Sequence, residues 1–103
     1  MRWDFNVLEK RAKELIDAGR PQAAIRIYFL MADGDPSLDG GYLGKRIGEC
    51  YEAMNQPYAA KYWYGRAAEE NPEVRLDCAK ARERLEKIVT IDDLISPEDY
   101  VRK

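Results

Sequence analysis

Cys50 and Cys78 are the only thiols of this 103-residue chain, and no histidine accompanies them. Without an imidazole, Ser-His-Asp and Cys-His nucleophilic arrangements, histidine acid–base work and most catalytic zinc sites have no starting material. The two cysteines lack the CxxC spacing of a redox or metal motif. They read as two buried structural thiols, the usual place of a free cysteine, with a disulfide or redox role as the alternative. Adjacent carboxylates occur at Glu69-Glu70 and Asp92-Asp93. Neighbours on a helix diverge by about 100° and cannot share a site. The expectation is therefore no enzyme, with no catalytic residue, cofactor site or metal site.

The elements that must carry these side chains are those of a globular chain. A hydrophobic share of 46% beside a charged share of 35% leaves no low-complexity stretch and enough apolar material for one modest core. With 17 basic and 19 acidic residues interspersed, the net charge of −2 gives no footprint for a nucleic-acid backbone. No stretch approaches the ~20 apolar residues of a membrane span, and Met1-Arg2-Trp3-Asp4 does not open a signal peptide. A cytoplasmic setting follows as the expectation, with neither nucleic acid nor membrane among the partners.

Proline and glycine divide the chain into five expected helices, near 5–18, 21–33, 41–54, 57–70 and 73–89. Asp4 or Asn6 is the N-cap of the first, and Gly19 its left-handed stop. Its apolar stripe is Leu8, Ala12, Leu15 and Ile16. Pro21 and Pro57 open the second and fourth helices, where a missing N–H costs nothing. The second buries Ala24, Ile27, Tyr28 and Met31; the third Leu43, Ile47, Cys50, Tyr51 and Met54; the fourth Ala60, Trp63, Tyr64 and Ala67. Asn71 and Pro72 read as N-cap and first residue of the fifth, whose stripe is Val74, Cys78, Ala81, Leu85 and Ile88. In the tail, 90–103, the apolar residues Ile91, Leu94, Ile95 and Tyr100 are expected to fold back against helix five or the groove beside Tyr42.

These helices repeat. Laid on itself with an offset of 36 residues, the chain matches at Pro21/Pro57, Ala23/Ala59, Ala24/Ala60, Tyr28/Tyr64, Ala32/Ala68 and Pro36/Pro72, with Ala12/Gly48 and Leu15/Tyr51 alike in character. Such a period signals stacked supersecondary units. The pattern resembles the tetratricopeptide repeat (TPR) family, whose consensus positions fall on Ala12/Gly48, Leu15/Tyr51, Ala24/Ala60, Tyr28/Tyr64, Met31/Ala67 and Pro36/Pro72. The run Ala60–Ala68 is also similar to Sel1-like repeats, although their glycine-rich loop is missing. The resemblance implies an all-α fold of stacked antiparallel hairpins, a TPR-like right-handed α-solenoid. Repeat one would span 5–38, repeat two 41–74 and a capping helix 73–89, so that 1–89 forms the domain.

The same resemblance implies a protein–protein interaction module whose partner is another protein or a peptide. On its concave face the partner-facing positions would be Asn6, Glu9, Lys13, Ile16 and Asp17, then Tyr42, Lys45, Glu49, Glu52 and Ala53. The family's clamp for acidic chaperone tails needs Lys and Asn where this chain has Glu9, Lys13 and Arg46, which argues against that ligand. A second candidate lies on the outer face. Tyr58 and Tyr62 stand one turn apart, opposite the buried side of helix four, and Phe29 and Gly65 also lie off the core. These four would serve a partner or, as a self-assembly element, a homodimer.

Overall fold

The computed structural model describes residues 4–33, 35 and 39–88. Among them it is all-α: α1 (Phe5–Asp17), α2 (Pro21–Ala32), α3 (Tyr42–Ala53), α4 (Pro57–Glu70) and α5 (Leu76–Ile88). Each helix packs chiefly on its sequence neighbour, α1 on α2, α2 on α3, α3 on α4 and α4 on α5. The expected tail 90–103 and residues 34 and 36–38 of the loop between α2 and α3 lie outside the described residues.

The first four helices begin and end within a residue of their expected bounds because their end signals are local. Asp4 Oδ1 accepts the free N–H groups of Asn6 and Val7 at 3.0 and 3.3 Å, closing the N-terminus of α1. Gly19 (φ +75°) follows the last turn, where its N–H donates to Ile16 O while that of Arg20 reaches back to Leu15 O. This is a Schellman closure. It recurs after α3: Asn55 (φ +59°) takes the left-handed position, its N–H donating to Glu52 O and that of Gln56 to Tyr51 O. Among non-glycine residues Asn is one of the few that adopt that conformation readily. Both closures are followed at once by a helix with proline in its first turn. The turn chemistry therefore repeats in the register of the sequence match.

The fifth helix departs from expectation. Asn71 ends α4 instead of capping α5, and its carbonyl accepts the N–H groups of Val74 and Arg75. That turn occupies 72–74, and α5 starts at Leu76, three residues later than expected. Val74, assigned to the apolar stripe, is consequently 62% exposed, as is Leu76 at 60%. A proline just past a helix end stops the old helix as readily as it starts a new one. The bonds to Asn71 O choose the first outcome.

Two buried clusters hold the array. Ala12, Leu15, Ala24, Ile25, Tyr28, Met31, Leu43, Ile47 and Cys50 join α1, α2 and α3. Ala60, Tyr64, Ala67, Ala68, Cys78 and Leu85 join α4 and α5, and the partly buried Tyr51 packs against both clusters. Small residues let the backbones approach. A Cβ on Gly48 would stand 2.9 Å from the Tyr64 ring, and one on Gly41 would be 2.6 Å from Ala67 O. Gly41 also has φ +87°, so glycine is required there twice over. Ala24 and Ala60 are fully buried, as the repeat alignment expects.

Candidate functional site

The first candidate face is the row formed by α1, α3 and α5. On it the charged side chains are engaged with one another. Glu9 of α1 accepts a hydrogen bond from the Tyr42 hydroxyl of α3. Arg46 Nε donates to Tyr42 Oη at 2.8 Å and lies 3.7 Å from Glu9, while its Nη1 donates to Glu49 at 2.9 Å. The next step of the row is similar. Glu52 Oε1 accepts from the buried Tyr64 hydroxyl at 2.7 Å and from Arg84 of α5 at 2.8 Å. Lys45 meets Asp77 at 2.9 Å.

The electrostatics follow this pairing. The Arg84 and Tyr64 donors hold the Glu52 carboxyl below its ordinary range against the opposing effect of burial. Lys45 does the same for Asp77. Burial, then the neighbouring Glu52, raises the Tyr64 phenol. Tyr28 is raised too, first by burial and then by the nearby Glu9 carboxylate. No hydrogen bond of good geometry forms there: Tyr28 Oη and Glu9 Oε2 are both buried without a donor–acceptor partner among the described residues.

Of the residues expected to face a partner, Tyr42, Lys45 and Glu52 are thus tied into helix-to-helix contacts, and Glu49 is paired with Arg46 within α3. Asn6, Glu9, Lys13 and Tyr42 come together around a pocket of about 380 Å³ floored by Met31 and Leu43. Asp17 lies one turn along α1, beside a shallow hollow it shares with Lys13, Ile16 and Arg46; Ala53 is exposed. Sequence reasoning missed the keystones. Arg46 sits at helical spacing from Tyr42 and Glu49, which was a legible signal. Arg84 is far from Glu52 in sequence, and nothing local announces their meeting.

The second candidate face lies on the other side of α4. Tyr58 and Tyr62 are 56% and 55% exposed, and with Gly65 they line a groove of about 300 Å³ between α4 and α5. Its other walls are Lys61, Arg66, Glu69 and Arg82. Two placements correct the expectation of one outer patch. Gly65 is buried, because the Arg82 stem crosses it: a Cβ there would be 3.2 Å from Arg82 Cδ. Phe29 stays outside the groove, 36% exposed, with its ring edge-on to Trp63 and Tyr51. It connects to Tyr62 only through Trp63, whose ring lies 5.5 Å from that of Tyr62.

The remaining chemistry is quiet. Both cysteines are free and buried, and burial pushes each thiol up to about 11, far from a reactive thiolate at neutral pH. Among the described residues no group of three or more His, Cys, Asp or Glu is placed to hold a metal ion. None of the described helices is long and apolar enough to cross a membrane. No family model matches the chain, and comparison with curated proteins and with solved structures gives no match.

Proposed function

We propose that the protein is a non-catalytic protein–protein interaction module, a TPR-like right-handed array of two helical-hairpin repeats capped by α5. The recurrence of the Schellman closure, the first-turn proline and the buried alanine in both hairpins supports the repeat. One observation carries the binding role: two tyrosines, each more than half exposed, flank a formed groove on the outer face of α4. Large amphipathic rings beside a notch are the side chains that anchor partner segments. The concave row serves less well as the recognition surface, because its charges are already paired with each other.

The test is a peptide array of acidic, basic, apolar and mixed-charge segments, combined with sedimentation at rising protein concentration. A monomer that captures one class of peptide supports the module. A concentration-dependent dimer that Tyr62→Glu converts to a helical monomer moves the function to self-assembly through the same face. A monomer that captures no segment overturns both.

A further inference from the structure

Three cations face the α4/α5 groove, Lys61, Arg66 and Arg82, against one carboxylate, Glu69. None of the three makes an ion pair among the described residues, whereas Lys45, Arg46 and Arg84 on the opposite face all do. The Arg66 guanidinium lies over the Trp63 ring, its carbon 5.8 Å from the ring centre, and a cation stacked in this way still presents its N–H edge to a further partner. We propose that this groove binds an extended acidic peptide segment, with an apolar side chain of that segment seated against Tyr62, beside the Arg82 stem that covers Gly65.

The shape sets the size of the ligand. Tyr58, Tyr62, Gly65 and Glu69 recur at three- and four-residue steps, a straight stripe along α4. From Tyr58 to Glu69 it runs about 16 Å at 1.5 Å per residue, the reach of roughly five extended residues. Gly65 at its centre leaves the room in which the Arg82 stem crosses the stripe, so the shape of the notch is built into the sequence. The tyrosines wall one end of the notch and Arg82 crosses the other. Carboxylates of the segment then meet Lys61, Arg66 and Arg82, and guanidinium groups suit carboxylates by their fork geometry. A nucleic-acid backbone fits less well, because every unit carries a phosphate and one must pass Glu69 on the rim, whereas a peptide can place an uncharged residue there.

This inference rests on the interaction-module reading, and its test separates the two. The probe is a fluorescein-labelled Glu-Asp-Leu-Asp-Glu peptide, with Gln-Asn-Leu-Asn-Gln and Lys-Arg-Leu-Arg-Lys as counterparts, titrated against the full chain. The acidic peptide binds at least about tenfold more tightly than either counterpart and weakens as salt rises. Its amide shifts fall on Tyr58, Tyr62 and Gly65. Arg82→Glu and Lys61→Glu each reduce binding about tenfold or more while retaining helicity, and Lys10→Glu at an exposed position of α1 leaves it unchanged. If charge reversal disturbs folding, Arg82→Gln carries the same test. Equal binding of the amide counterpart, or shifts confined to α1 and α3, overturns the proposal. If another class in the peptide array binds while the acidic one does not, the module reading stands and the acidic groove falls. If no class binds, both fall.

Discussion

The two sides of this molecule use the same residue types to opposite ends. On the α1–α3–α5 row, Glu9, Tyr42, Arg46, Glu52, Arg84, Lys45 and Asp77 meet across helices, and Glu49 pairs with Arg46 within α3. On the outer side of α4, Lys61, Arg66 and Arg82 share a groove with a single acid and with two exposed tyrosines. The row is a set of spacers that fixes how hairpins sit side by side. Among the described residues the three cations of the groove make no ion pair. A charged surface residue therefore says little by itself; what matters is whether the fold supplies its partner.

Both sides depend on α5, which sends Asp77 and Arg84 to the row and Arg82 to the groove. Leu85, almost wholly buried, seats it on α4. The largest effect is expected there. Leu85→Ala should cost about 2–5 kcal/mol through lost burial and a cavity, read as a fall in the urea midpoint. It should degrade both faces together; loss of one alone would separate what the structure joins.

The next test acts on the row side alone. A methyl at Gly48 falls 2.9 Å from the ring of Tyr64, which is buried and cannot swing away. Overpacking outweighs the helix propensity gained, so Gly48→Ala should destabilise by about 1–2 kcal/mol. The same variant should displace the Tyr64 hydroxyl from Glu52 and leave groove binding nearly intact.

How much of this was legible depends on whether the signal was local. The helix ends were, because Asp4, Gly19, Pro21 and Pro57 act within their own turn. The core stripes were largely so, through spacing; Ile25, buried with that core, escaped because it lies about 100° round the helix from Ala24, outside the expected stripe. The start of α5 was misplaced because Asn71-Pro72 fits a helix start and a helix end equally well. On the surface, the two tyrosines and Gly65 were legible as off-core positions, but Arg82 over Gly65 and Arg84 on Glu52 are long-range meetings. They decide which face is occupied and which is open, and no periodicity encodes them.

A pH titration sharpens the row's side of the contrast. The Glu52 and Asp77 carboxyls are both held low in the folded state. A group so depressed contributes stability above its unfolded value, about 4.3 for Glu and 3.9 for Asp. That contribution is lost as pH falls through the folded value. The protein should therefore lose stability between about pH 5 and pH 3. Glu52→Gln should flatten part of that slope and cost about 1 kcal/mol at pH 7, since Tyr64 and Arg84 keep a weaker acceptor. Asp77→Asn should do less, because the Asp77 side chain is 52% exposed and its pair is screened. An unchanged acid limb in both variants would show that the row's pairs contribute nothing to folding.

The smallest expected change is the most diagnostic for the groove. Gly65→Ala is chemically the same substitution as Gly48→Ala, placed one helix further on, yet its surroundings differ in kind. The new methyl would meet only the Arg82 stem and guanidinium, at 3.2 and 3.4 Å, and a long side chain on a part-exposed surface can give way. With that clash relieved, the gain in helix propensity remains, so stability should rise by about 0.5 kcal/mol. The notch, however, closes, and Arg82 moves off its present line across the groove. Binding of the acidic peptide should then weaken as stability increases. Opposite signs at Gly48 and Gly65 would show that one glycine is kept for packing between hairpins and the other for the line of Arg82 across the groove. If Gly65→Ala stabilises the chain and the peptide binds as before, the Arg82 crossing at Gly65 has no part in recognition.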